Sequence, residues 1–151
     1  MSILIIQENK QARFDYHILE TFEAGLVLIG SEVKSLRGKN ITFKDSYIVF
    51  KDREAFIQNA HISEYKASSY NNHAPERLRK LLLNKSELHT IFTAQREKGL
   101  SCVPLKIYFK EGLVKLEIAL VKGKKTHDKR EAIKKRDVEQ QLRQTKQYDR
   151  R

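Results

Sequence analysis

Apolar and polar residues alternate with a period of two over two neighbouring stretches in the second half of the chain. In Leu105–Lys110, Leu105, Ile107 and Phe109 fall on one side, and Lys106, Tyr108 and Lys110 on the other. In Leu113–Val121, Val114, Leu116, Ile118 and Leu120 share a face, opposite Lys115 and Glu117. Strict alternation marks half-buried strand, and Glu111-Gly112 between the runs is turn chemistry, so the pattern predicts an antiparallel hairpin. A second hairpin is predicted over Ser46–Phe50 and Ala55–Asn59, turning through Lys51-Asp52-Arg53. Tyr16–Ala24 and Leu26–Ile29 read as strand interrupted at Gly25. Helical spacing occurs at Val33 and Leu36, with Ser31 as the expected N-cap. Pro75 opens a stronger helix through Leu78, Leu81 and Leu82, and Asn84–Arg96 continues or restarts it with Leu88, Ile91 and Phe92. Short strands with one or two helices predict a mainly β fold, a small, partly closed antiparallel barrel with flanking α-helices. An open sheet with helices on one face is the rival.

The pattern changes after Val121. Asp128–Tyr148 holds only Ala132, Ile133, Val138, Leu142 and Tyr148 as apolar positions, and only Val138 and Leu142 match at helical spacing. Such a stripe is too thin to hold a helix on a core, so this segment is expected to be disordered alone and helical when a partner supplies contacts. The organisation predicted is one folded body over 1–125 and a basic C-terminal tail over 126–151.

Charge sharpens this division. The 151 residues carry 30 Lys and Arg against 19 Asp and Glu, a formal net charge of +11. From Lys122 onward there are 12 basic and 5 acidic residues, so most of the excess lies in the last fifth of the chain. A large basic excess points to nucleic acid, a membrane surface or an acidic protein as partner. No apolar stretch approaches the ~20 residues of a membrane span, so no membrane partner is expected. The lone Cys102, in an apolar run, reads as a buried thiol in a reducing compartment, and Met1–Ile6 lacks a secretion signal. A cytoplasmic location follows as the expectation.

Catalytic and cofactor chemistry find little support. His17, Glu20 and Glu23 are close in sequence, but strand parity puts His17 and Glu20, and likewise Glu20 and Glu23, on opposite faces. His61 and His73 lack the further ligands a metal needs, and Arg37-Gly38-Lys39-Asn40 is far short of a phosphate-cradling loop. No cofactor, metal or enzymatic activity is expected. Basic clusters interleaved with aromatic residues are the better lead: Asn9, Lys10 and Arg13 beside Phe14 and Tyr16; Lys34, Arg37 and Lys39; Arg77, Arg79 and Lys80; Lys106 and Lys115 on the hairpin; and Lys122, Lys124, Lys125, Lys129 and Arg130. Cations along a backbone with rings for stacking suit folded RNA. A nuclease or RNA-modifying enzyme and a structural ribosomal protein remain the competing classes.

The clusters occur in a particular order. Asn9-Lys10-x-Ala12-Arg13-x-Asp15-Tyr16 is followed by Phe22-Glu23-Ala24-Gly25, then Gly30-Ser31-Glu32-Val33-Lys34-Ser35-Leu36-Arg37 and Asp45-Ser46-Tyr47. Arg77-x-Arg79-Lys80-Leu81-Leu82-Leu83, Val103-Pro104-Leu105-Lys106-x-Tyr108-Phe109 and Gly123-Lys124-Lys125-x-x-Asp128-Lys129-Arg130 complete the series. Over nearly its whole length the chain resembles the SmpB family of SsrA-binding proteins. The resemblance implies an oligonucleotide-binding-like barrel that grips the tRNA-like domain of transfer-messenger RNA near its elbow. It implies a place in the A site of the small ribosomal subunit, at the decoding centre, with the tail helical in the empty mRNA channel. It also implies that the GTPase chemistry belongs to elongation factor Tu, reached through the RNA. Carried over residue by residue, the RNA-binding set is Asn9, Lys10, Arg13, Glu23, Lys34, Arg37, Lys39, Lys122, Gly123, Lys124 and Lys125. Phe14, Asp128, Lys129, Arg130, Lys134, Lys135 and Arg136 are the ribosome-facing set. Leu82 matches a functional leucine of the family, and a core role explains it equally well. Three departures stand out: Phe14 where the family often has His, Arg37-Gly38-Lys39-Asn40-Ile41 without the usual spacer, and a Gln-rich end, Gln140–Arg151, that matches the family only loosely.

Overall fold

The structure, a computed structural model, describes residues 3–65 and 72–123. The elements in chain order are β1 (Ile3–Glu8), α1 (Lys10–Asp15), β2 (Tyr16–Leu26), α2 (Gly30–Arg37), β3 (Ile41–Lys51), β4 (Glu54–Ile62), β5 (Arg79–Leu82), α3 (Lys85–Glu97), β6 (Ser101–Lys110) and β7 (Leu113–Gly123). The strands form one antiparallel sheet in the order β1-β6-β7-β2-β5-β4-β3. β3 packs back against β6, so the sheet curls into a nearly closed barrel. The barrel reading therefore holds over the open-sheet rival.

Both predicted hairpins form. β6 and β7 pair through Lys110↔Leu113, with Glu111 and Gly112 both at positive φ. β3 and β4 pair through Lys51↔Glu54, with Asp52 and Arg53 at φ 50 and 66. Two successive positive-φ residues match the right-handed twist of the flanking strands, which is why such two-residue turns close hairpins.

Alternation fails at the bulges. The β6–β7 register shifts between Pro104 and Lys106. Leu105 therefore packs with Val103, Ala119, Val121 and Ala12 in a small outer cluster, while Ile107 lies in the main core with Leu116 and Ile118. Leu105 and Ile107 do not share a face, contrary to simple parity. β2 likewise shifts between Ile18 and Glu20. His17 pairs with Lys122 and Glu20 with Leu120, so the bulge returns both to one side of the sheet. Each bulge inserts one residue and reverses the side-chain alternation beyond it.

Three helix and strand boundaries also differ from the sequence reading. Gly25 does not interrupt β2: it pairs with Leu82 on one side and Lys115 on the other. A Cβ there would lie 3.3 Å from the Leu82 Cβ, so the bare glycine allows close approach of β5. Ser31 is not the N-cap of α2. Ile29 takes that position, its N–H donating to Glu32 Oε1 at 2.8 Å, while Ser31 Oγ bonds His73 Nδ1 at 2.8 Å. The helix expected from Pro75 is instead the strand β5, held between β2 and β4. A helix does begin at the capping box: Asn84 Oδ1 accepts the Glu87 N–H at 2.8 Å, and Glu87 Oε1 accepts the Asn84 N–H at 3.2 Å. Ile91 and Ala94 of that helix are buried in the barrel core.

The buried Arg79 organises this region. Its guanidinium donates to Glu32 Oε2, to the Ala60 carbonyl at 2.9 Å and to the Pro75 carbonyl at 2.9 Å. Arg77 Nη2 reaches Glu32 Oε1 at 2.6 Å. Arg79 is only 1% exposed and Glu32 0%. Arg79 thus leaves the basic surface cluster to which its sequence neighbourhood assigned it. Burial pushes the Glu32 carboxyl up, but the hydrogen bonds from Arg77, the Ile29 amide and Arg79 outweigh it and hold the group below its ordinary value.

Candidate nucleic-acid interface

Directly opposed residues of antiparallel strands share a face, so the register defines what the outer side of the sheet presents. One row runs Leu82, Gly25, Lys115, Tyr108 and Ile5 across β5, β2, β7, β6 and β1. The next runs Glu23, Glu117, Lys106 and Glu8. Beyond these rows the outer cluster carries α1 through Ala12.

α1 is fastened by Asn9. Its side-chain Oδ1 accepts the Ala12 N–H at 3.3 Å, which caps the helix, and its Nδ2 donates to the Pro104 carbonyl at 2.8 Å. The Asn9 backbone N–H donates to the Leu105 carbonyl at 2.7 Å. Asn9 therefore takes up the carbonyls freed at the β6 bulge and is itself 7% exposed. Its visible work is to place Lys10 and Arg13, which are exposed, beside the sheet. Arg13 Nη2 lies 4.0 Å from Glu117 Oε1, and Lys106 Nζ lies 3.7 Å from Glu117 Oε2. Phe14, on the same helix, is half-buried.

Glu23 is held from one side. Tyr108 donates its hydroxyl to Oε2, and Lys110 Nζ lies 3.3 Å from both oxygens. The Tyr108 hydrogen bond holds the Glu23 carboxyl below its ordinary value, with burial opposing and Lys110 assisting. Burial, together with Glu23, pushes the Tyr108 hydroxyl up, so it remains a proton donor throughout the neutral range. Tyr108 also lies beneath Lys106, whose Nζ is 5.7 Å from the ring centroid. Sequence reading placed Tyr108 on the polar side of its strand and assigned it no role; the signal was its parity with Lys106 and Lys110. Leu82 is 54% exposed, which sets aside its core reading.

Lys122 and Gly123 end β7 opposite His17 and Tyr16, beside α1. Lys34, Arg37 and Lys39 do not join this group. They sit on and after α2, at the other end of β2, which at strand rise is about 30 Å from α1. α2 closes with Gly38 N–H on the Ser35 carbonyl at 3.1 Å and Lys39 N–H on the Leu36 carbonyl at 2.9 Å, leaving Lys39 at φ 60. Arg37 and Lys39 are exposed despite the missing spacer, and Lys34 Nζ lies 5.6 Å from the Tyr65 ring centroid. The expected sites at Lys124, Lys125, Asp128, Lys129, Arg130, Lys134, Lys135 and Arg136 lie outside the described residues.

Among the described residues no three His, Cys, Asp or Glu side chains are grouped to hold a metal. His73 is buried between Ser31 and the Ile62 carbonyl, and His61 Nδ1 faces Glu76 Oε1 at 3.6 Å. Burial pushes the Cys102 thiol up to about 12, the state of an unreactive core thiol. No helix among the described residues is long and apolar enough to cross a membrane.

The family model described as SmpB protein matches residues 6–148. An SsrA-binding protein of Bdellovibrio bacteriovorus is 73% identical over 142 residues, covering 94% of this chain and 93% of the relative. One from Anaplasma marginale is 54% identical over 134 residues, covering 88% and 90%. A solved structure described as "tmRNA-SmpB: a journey to the center of the bacterial ribosome" superposes with a TM-score of 0.69 at 47% identity, covering 84% of this chain and 93% of that one. With the motif series and the barrel in agreement, this chain belongs to the SmpB family of RNA-binding proteins.

Proposed function

We propose that this chain binds the tRNA-like domain of transfer-messenger RNA and delivers it to the A site of stalled ribosomes for trans-translation and peptide tagging. The observation that carries this reading is the convergence on one exposed face of groups from distant segments. Lys10 and Arg13 come from α1, Glu23 from β2, Lys106, Tyr108 and Lys110 from β6, and Lys115 and Glu117 from β7. Cations supply sequence-independent attraction to phosphate. The fixed carboxylate of Glu23 repels phosphate and accepts hydrogen bonds from 2′-hydroxyls or base amines, which favours RNA folded so as to present them. Lys34, Arg37 and Lys39 extend the contact to the far end of β2, a span suited to a bent, tRNA-sized ligand. The names of the relatives supply the identity of that RNA.

In this reading the protein is a cytoplasmic adaptor rather than an enzyme, and elongation factor Tu is engaged through the RNA. Phe14 stacks against decoding-site bases, a role a phenyl ring fills as well as an imidazole. The tail over 126–151 becomes helical in the mRNA channel, its Lys and Arg neutralising ribosomal phosphate.

Gel-shift competition tests the proposal. The tRNA-like domain should displace an unrelated RNA of equal length from the complex at physiological salt. Equal affinity for the two would overturn it. Removing Asp128 onward should spare RNA binding and abolish tagging; persistent tagging would overturn the tail's role.

A further inference from the structure

Resting on that reading, we infer that Tyr108 is the positioning residue of the RNA interface: its hydroxyl fixes the Glu23 carboxylate as an oriented acceptor for a donor on the RNA. Three observations carry the inference. The Tyr108 ring is buried, 3% exposed, so its hydroxyl has a fixed position on β6. That hydroxyl donates to Glu23 Oε2, while among the described residues Oε1 is met by Lys110 alone, at 3.3 Å, leaving acceptor capacity on the exposed side of the carboxylate. Lys110 and Lys115 meanwhile offset the negative charge. A glutamate on a basic RNA surface would otherwise turn freely about its lysine partner or be displaced by phosphate repulsion. Held by Tyr108, it presents one oxygen outward in a set direction. Such an acceptor discriminates a 2′-hydroxyl or base amine from a phosphate, and so it adds specificity rather than attraction.

The action is through Glu23, so the test measures coupling. Wild type, Tyr108→Phe, Glu23→Gln and the double variant are compared for affinity to the tRNA-like domain across a salt series. Carbon-detected NMR follows the Glu23 carboxyl through its titration. Phe keeps the ring in its pocket and removes only the hydroxyl. Tyr108→Phe should weaken binding about tenfold with an unchanged salt slope, because no phosphate contact is lost. The Glu23 titration should move upward in Tyr108→Phe without RNA present, a shift that a merely packing role would not produce. The double variant should bind no more than about twofold worse than Glu23→Gln alone. Wild-type affinity in Tyr108→Phe, or losses that multiply in the double variant, would overturn the inference while leaving the proposed function intact. Failure of the wild-type protein to prefer the tRNA-like domain would overturn both.

Discussion

Glu23 and Glu32 stand on successive elements, each among basic neighbours and each with its carboxyl held below the ordinary range. Their surroundings differ. Glu32 is sealed between Arg79 and Arg77 inside the barrel, with a backbone amide as a further donor. Glu23 keeps 39% of its side chain exposed, and its partners approach from one side. A carboxylate that is itself wholly buried can only serve the fold. One restrained on one side and open on the other can serve a ligand. On the proposed reading, residue type and local charge do not divide the structural carboxylate from the RNA-facing one; the direction in which unspent hydrogen-bonding capacity points does.

The largest effect should come from the sealed site. Glu32→Gln leaves a buried guanidinium without its counter-charge and should cost about 3–5 kcal/mol of stability in urea denaturation. A loss under about 1 kcal/mol would remove the distinction between the two glutamates. The same site sets an acid limit. Because the folded carboxyl lies below its unfolded value of about 4.3, the unfolded chain binds more protons, so this contribution is complete above that value and is lost as pH falls through the folded one. Urea midpoints from pH 7 to pH 3 should therefore fall steeply in wild type and less steeply in Glu32→Gln.

Changes at the open face should separate binding from stability. Glu23→Gln should weaken binding to the tRNA-like domain about tenfold, close to 1.4 kcal/mol. Its thermal midpoint should correspond to a stability change within about 0.5 kcal/mol, as for other surface substitutions. Leu82→Ala should behave alike, since Leu82 is exposed over Gly25. A collapse in its stability would return it to the core. Smallest should be the single cations. Lys10→Ala and Lys34→Ala should each lower the slope of log affinity against log salt by about 1. An unchanged slope for Lys34→Ala would confine the interface to the α1 end of β2.

Much of this was legible in the chain. The two hairpins followed from alternation and turn residues, and α3 from Asn84-x-x-Glu87 with its apolar stripe. The strand β5 was not, because Leu78, Leu81 and Leu82 fit helical spacing, while pairing to β2 and β4 and the anchoring of Arg79 decide otherwise. Two bulges reversed parity, separating Leu105 from Ile107 and bringing His17 and Glu20 to one side; no local residue pattern announces them. The motif order singles out Lys10, Arg13 and Glu23, and the structure leaves all three exposed. The buried work of Asn9 and Arg79 was not, since their partners, Pro104 for one and Glu32 for the other, are remote in sequence. Tyr108 lay in plain view on the polar side of its strand, but its bond to Glu23 depends on the β2–β7–β6 register.

The central claim is that the outer sheet face and the two helices at the ends of β2 receive the RNA. An NMR titration of the protein with the isolated tRNA-like domain tests it most directly. The largest amide and methyl perturbations should fall on Lys10–Phe14, Glu23, Gly25, Leu82, Tyr108, Lys115 and Lys34–Lys39, with Phe50, Leu88 and Phe92 on the α3 side unmoved. Perturbations concentrated around Phe50, Leu88 and Phe92, with the Glu23 face silent, would contradict the account.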